Sequence, residues 1–168
     1  MKRSVPAWLL SALLLALAGC GFGLRQPVNF AFTSLYSSVA PTSPLGVELK
    51  RQLQSSGQLQ YITEPERQQE AQAVLDILSE QRVKSVVGVS ATGQVREFQL
   101  RFIINFRLRT PQGKELIPET ELVQQRALSY DEVFALAKEA EEVLLYRNMQ
   151  SDMVQQILRR LAAVKSLE

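Results

Sequence analysis

Cys20 is the only cysteine in the 168-residue chain, and it closes the tetrapeptide Leu17-Ala18-Gly19-Cys20. A thiol placed there, directly after an apolar run, has the pattern of a lipobox. Its chemistry is cleavage before Cys20, thioether attachment of a lipid to the sulfur, and acylation of the new amine. Other reactive constellations are missing from the sequence. There is no histidine, which removes Ser-His-Asp and Cys-His pairs and most zinc and haem ligation. One cysteine makes neither an internal disulfide nor a Cys-rich metal site. The three aspartates (Asp76, Asp131 and Asp152) are far apart, so a hard-cation site would have to lean on glutamate. Glu139, Glu141 and Glu142 are close in sequence, but residues 139 and 141 do not share a helix face, and a solvated face accounts for them. No Ser-x-x-Lys spacing occurs. The composition argues against an enzyme and for a binding or assembly protein, with no cofactor and no metal implied.

The segment before Cys20 reads as an address. Lys2 and Arg3 make a positive start, and an apolar run from Val5 to Leu17 follows. The run is short for a membrane span, which needs ~20 residues, and it ends in small residues like a signal peptide. Residues 1–19 are therefore expected to be removed, leaving 20–168 as a single lipid-anchored domain. Two or more acyl chains hold a protein stably at a membrane, because each buried CH₂ contributes ~0.8 kcal/mol. Gly21, rather than Asp, follows the lipidated position, which in enterobacterial-type sorting points to the outer membrane and its periplasmic side. Removing the leader takes Lys2 and Arg3 from the 19 basic residues and leaves them matched by the 17 acidic ones. A domain of zero net charge has no global basic field, so nucleic acid is not an expected partner.

The elements that would position a binding surface follow from hydrophobic period. Alternation from Val28 to Phe32 predicts a strand. Ala40-Pro41-Thr42-Ser43-Pro44 breaks it, and Thr42 or Ser43 can cap a helix with Pro44 in its first turn. Leu45, Leu49 and Leu53 then repeat at helical spacing up to a Gly57 stop. Residues 58–63 alternate briefly as a short strand, and 64–72 are polar and unassigned. Ala73 to Val89 carries Leu75, Ile77, Val83, Val87 and Val89 at odd positions. Gly88 and Gly93 bracket a turn around Ala91-Thr92, and 95–109 alternate with Ile103 the exception, Phe98, Leu100, Phe102, Ile104, Phe106 and Leu108 lying on one face. Pro111-Gln112-Gly113-Lys114 turns the chain into a returning strand over 116–128, with Pro118 at a bulge. Asp131 caps a final helix over 132–164, whose register loosens around Arg147-Asn148 as if bent or exposed there. The expected architecture is α+β, a two-layer sandwich with a mostly antiparallel four-stranded sheet covered by two helices.

Four short motifs add a resemblance. Gly21-Phe22-Gly23-Leu24-Arg25 follows the lipobox, Glu97-Phe98-Gln99-Leu100 opens the long strand, and Ala135-Leu136-Ala137-Lys138 lies in the last helix. Gln155-Gln156-Ile157-Leu158-Arg159-Arg160-Leu161 closes that helix. In this order and spacing the chain resembles the LptE family of lipopolysaccharide-assembly outer-membrane lipoproteins along essentially its whole length. The resemblance implies two helices on a four-stranded sheet. It also implies a plug in the lumen of the LptD β-barrel that assists assembly of the barrel and binds lipopolysaccharide. A near-neutral, Gln-rich exterior suits the polar lumen of such a barrel.

Lipopolysaccharide carries phosphates and acidic sugars, so basic side chains are the expected contacts. The resemblance points to Lys138 through the Ala-Leu-Ala-Lys match. Arg96 stands near the turn between the central strands, and Arg101 and Arg107, with Arg109, line the polar face of the long strand. In some family members that turn carries a basic residue at its tip. Here the tip is Ala91-Thr92-Gly93, which leaves Arg96 as the nearest substitute. Each cation also has a plainer reading, as strand-face solvation or edge protection for the arginines, or as an ion pair with Glu141 or Glu142 for Lys138. A rival function is a lipoprotein auxiliary subunit of a lipid-trafficking ABC transporter, which would co-purify with an inner-membrane ATPase rather than a barrel. Replacing Cys20 with Ala is expected to abolish lipid attachment. Mass spectrometry of the processed chain checks this, and a lipid mass persisting on the variant would contradict the anchor.

Overall fold

The computed structural model describes residues 29–55 and 59–167. The leader, the lipobox Cys20, the motif at 21–25 and the Gly57 stop lie outside the described residues. In chain order the elements are β1 (Ser34–Ser37), α1 (Pro44–Gln54), β2 (Gln60–Ile62), β3 (Ala73–Val89), β4 (Val95–Arg109), β5 (Glu115–Ser129) and α2 (Ala135–Ala163). Short 3₁₀ turns cover Pro65–Glu70 and Glu132–Phe134.

The sheet order is β2-β1-β3-β4-β5. β3, β4 and β5 form an antiparallel meander, whereas β1 runs parallel to both β2 and β3. The sheet is thus five-stranded and mixed, not four-stranded and mostly antiparallel. The parallel part exists because α1 acts as a crossover, carrying the chain from β1 to a parallel neighbour. β1 was not legible because all four of its residues are buried and therefore do not alternate. The alternating residues Phe30 and Phe32 lie just before it, with their rings stacked 5.5 Å apart.

Local chemistry explains the helices and turns. Ser43 Oγ accepts from the Gly46 amide at 3.0 Å and donates to the Ala40 carbonyl at 2.9 Å, capping α1. A Cβ on Gly46 would collide with that Ala40 oxygen, so the close approach of the loop requires glycine. Gly93 and Gly113 take φ of +83° and +96° in the two hairpin turns. Pro118 sits at a register shift in β5, where its missing amide breaks no regular ladder.

One core lies between the helices and one sheet face. Phe102, Phe106, Ile104, Leu100 and Leu108 from β4 meet Met149, Met153, Ile157 and Leu161 from α2 and Leu45, Leu49 and Leu53 from α1, all fully buried. A smaller cluster of Tyr36, Ile62, Ala71 and Val74 lies apart from it, beside the first 3₁₀ turn. Asp131 caps that second 3₁₀ turn through the Val133 amide at 3.0 Å, rather than capping the helix directly. α2 then runs unbroken to Ala163. The loosened register near Arg147 marks the boundary between a buried C-terminal half, from Tyr146 onward, and an exposed N-terminal half.

A register shift between Ile77 and Ser79 reverses β3. Before it, the odd residues Leu75 and Ile77 face the core. After it, the even residues Arg82 and Lys84 face inward, because Arg82 lies over Phe102 and Tyr146 and Lys84 over Phe98. The odd valines Val83, Val87 and Val89 are left exposed. A one-residue slip moves every side chain to the other face, which is why continuous odd-position periodicity misplaced them. Phe102→Ala is expected to cost about 3–5 kcal/mol, from lost transfer energy and the cavity left behind. The shift in the urea midpoint measures this.

Candidate functional site

The first two sequence candidates meet at one end of the sheet, where β4 opens and β5 closes. The Arg96 carbonyl accepts from the Tyr130 amide at 2.8 Å, which holds the entrance to β4 against the exit from β5. The Arg96 guanidinium donates to Gln94 Oε1 at 3.3 Å and lies 3.9 Å from Asp131 Oδ2. Lys138, in the first turn of α2, donates from Nζ to Ser129 Oγ at 3.1 Å and to Glu141 Oε2 at 2.8 Å. Both cations therefore reach the 129–131 connection. A cleft lined by Gln94, Val95, Arg96, Tyr130, Asp131 and Val133 opens beside them. The Tyr130 ring stands edge-on to Phe98 at 5.2 Å, which fixes its wall.

This end has donors suited to an anion and nothing that performs covalent chemistry. Arg96 is about half exposed and Lys138 mostly covered. The positive end of the 29-residue helix α2 lies close by and adds to the field. Asp131 and Glu141 hold the two cations in place, and an incoming phosphate would compete with these carboxylates. Among the described residues no group of three or more metal-ligating side chains comes together.

The other candidates lie elsewhere. Arg107 is eleven residues from Arg96 along β4, about 36 Å at strand rise. Its Nε donates to Asp76 Oδ2 at 2.9 Å, and Arg109 Nε donates to the same oxygen at 2.7 Å. Burial alone would raise the Asp76 pKa, but the hydrogen bonds and charges of Arg109 and Arg107 outweigh it and hold the carboxyl below its ordinary value. Arg107 is thus committed to a structural clamp between β3 and β4. Arg101 sits midway along β4, in register with Val83 on one side and Gln125 on the other. The four cations do not form one cluster.

The sequence reading missed the cations that seat α2. Lys84 Nζ lies 2.6 Å from Glu142 Oε2 and 4.2 Å over the Phe98 ring. Arg82 lies between the rings of Phe102 and Tyr146 and donates to Gln150 Oε1 at 3.3 Å, while the Tyr146 hydroxyl donates to the Val83 carbonyl at 3.0 Å. On the β5 side, Arg126 meets Asp152 at 3.1 Å. The signal for this set was the pairing of even-numbered β3 charges with the even-numbered aromatics of β4, visible only once the bulge is placed. The two helices are joined through Glu48, which accepts from Ser151 Oγ at 3.1 Å, Gln52 Nε2 at 3.0 Å and Arg51 at 2.9 Å. Burial pushes its pKa up, and these donors more than reverse that.

These features define a class: a small α+β domain, two of whose basic side chains, Arg96 and Lys138, meet at one end of its sheet. The family model described as LptE, lipopolysaccharide-assembly, matches residues 32–161. The chain belongs to the LptE family. It is 26% identical to the LPS-assembly lipoprotein LptE of Photorhabdus laumondii, over all of this chain and 91% of that protein. It is 28% identical to the LptE of Yersinia enterocolitica, over all of this chain and 80% of that one. These relatives are named as assembly lipoproteins, not as enzymes. The solution structure of lipoprotein B from Nitrosomonas europaea is similar with a TM-score of 0.71 and 32% identity, covering 85% of this chain and 91% of that one. The rare lipoprotein B of Shewanella oneidensis shares the fold, with a TM-score of 0.65 and 24% identity over 77% of this chain and 94% of that one.

The Asp76 clamp has a pH signature. A carboxyl whose folded pKa is depressed stabilises the fold above its unfolded pKa, and that stability is lost as pH falls through the folded value. Asp76→Asn is therefore expected to unfold at lower urea than wild type at pH 7. The gap should narrow below about pH 4, the ordinary carboxylate range. Urea midpoints across that range test it, and a gap independent of pH would contradict the clamp.

Proposed function

We propose that this chain is a lipopolysaccharide-assembly lipoprotein that occupies the lumen of the LptD β-barrel, assists assembly of that barrel and binds lipopolysaccharide on its way to the outer leaflet. It is anchored through lipidated Cys20 at the periplasmic side of the outer membrane. The family match over residues 32–161 carries this reading. The fold is compatible with it: the apolar faces of sheet and helices are largely spent on one core, and the open sheet face carries Gln81, Gln99, Arg101, Asn105 and Gln125. A polar exterior of that kind fits a water-lined lumen.

Lys138 and Arg96 are the lipopolysaccharide contacts we favour, since both stand at the 129–131 connection, where two phosphate-binding side chains can act together. Arg101 and Arg107 form a separate strip on the open sheet face, with Arg107 held by Asp76. The test of function is purification of the lipidated chain from membranes. A stable one-to-one complex with a large β-barrel is expected, and recovery with an inner-membrane ATPase complex instead would overturn the reading. Lys138→Glu is expected to weaken lipopolysaccharide binding by about tenfold or more, the equivalent of one charge-assisted hydrogen bond, with the thermal midpoint preserved. Unchanged affinity would remove Lys138 from the site.

A further inference from the structure

The N-terminal half of α2 exposes an apolar stripe that the fold itself does not use. Val133, Leu136, Ala137, Ala140, Val143 and Leu144 recur at helical spacing, and the larger four are 57–83% exposed. At 100° per residue the stripe lies roughly 140° around the helix from the buried line of Tyr146, Met149, Met153 and Ile157. That flank is the one α1 covers farther along. Glu48 meets Ser151 and Gln52 meets Gln155, so the two helices run parallel and α1 begins level with residue 147. Upstream of 147 the same flank is bare. β3 antiparallels this half of α2, because Arg82 meets Tyr146 and Lys84 meets Glu142. Val86 on β3, about half exposed and on the helix-facing side with Arg82 and Lys84, therefore runs level with the stripe. Together they make a ledge ~17 Å long, and an exposed apolar surface of this extent marks a contact.

The charges along the ledge select what it takes. Glu142 is neutralised by Lys84 and Glu141 by Lys138. Glu132 and Glu139 remain along the border and Arg147 stands at its far end, none of them in an ion pair among the described residues. The rim is net negative, which disfavours an anionic leaflet or a phosphorylated glycolipid. Pairing with a second copy is also disfavoured. A two-fold antiparallel contact centred on Ala140 brings the two Glu139 carboxylates onto the same flank, where like charges oppose one another. A protein ridge with apolar side chains bordered by Lys or Arg satisfies both the stripe and its rim.

We infer that the stripe from Val133 to Leu144 is the docking surface for a protein segment of that chemistry and that the segment belongs to the β-barrel. The assignment to the barrel rests on the reading given under Proposed function. It is a surface distinct from Lys138, which turns toward β5 on the other side of α2.

The test uses the full-length lipidated chain in its own cells. It measures barrel recovered per molecule of lipoprotein for wild type, for Leu136→Glu with Val143→Glu, and for Gln112→Glu in the exposed turn between β4 and β5. In parallel, a photo-crosslinking side chain replaces Leu136. The expected result is a tenfold or greater loss of barrel for the double variant, wild-type recovery for Gln112→Glu, and a crosslinked product of barrel mass. If wild type carries the barrel and the double variant carries as much, the docking surface is wrong and the function stands. If wild type carries no barrel, the function itself fails and takes this occupant with it. A crosslink to a second copy or to lipid overturns the inference whatever the recovery shows.

Discussion

The domain is organised around the contact between the even-numbered face of β4 and the C-terminal half of α2. Phe102, Ile104 and Phe106 present a continuous apolar face, and Met149, Met153 and Ile157 lie on it, all without solvent contact. Burying each such side chain contributes about 1.5–3 kcal/mol, so no polar pair in the molecule competes with this interface. Its geometry dictates the rest. β3 and β5 must flank β4, the helix must run across the meander, and α1 must fit the space left beside α2 over the short parallel strands.

Polar contacts then choose one seating of the helix among those the apolar face would tolerate. Lys84–Glu142 on the β3 side and Arg126–Asp152 on the β5 side act as guides along opposite flanks. Such half-exposed pairs contribute little stability individually. Their effect is on position. They fix how far α2 is rotated, and that rotation decides which residues of its N-terminal half are offered to solvent. Lys138 reaches β5 as a consequence of the same rotation, and the stripe from Val133 to Leu144 is turned toward β3.

The sequence was most informative where one face is buried and the other wet. β4 alternates without interruption, and its limits, those of β3 and the cap of α1 were all legible for that reason. It was least informative where burial is two-sided or the register breaks. β1 lies inside on every residue, so its four positions carry no period, and the first strand was expected at Val28 to Phe32, just before its true place at Ser34–Ser37. In β3 the bulge at Leu78 exchanges the two faces midway, and a constant odd-numbered period sent Val83 and Val87 to the wrong side. The candidate site shows the same division. Lys138 and Arg96 were reached through motif and proximity to a turn, and the structure brings them to one connection. Arg107 has the right charge and the wrong surroundings, because its partner Asp76 is distant in sequence and only the strand register joins them.

The mixed sheet has a consequence for how the chain finds its shape. β3, β4 and β5 are linked by turns of a few residues, so their pairing closes small loops. β1 must instead find β3 across nearly forty residues, through contacts such as Thr33 with Gln72 and Ser38 with Leu75 and Ile77. Loop-closure entropy favours the meander forming early and the parallel pair joining late. Until that arrival the start of β3 is an uncovered template, and any neighbouring extended chain can pair with it. The brevity of β1 and β2 limits how much of that edge is ever sealed, so nascent copies have reason to be escorted until they are complete.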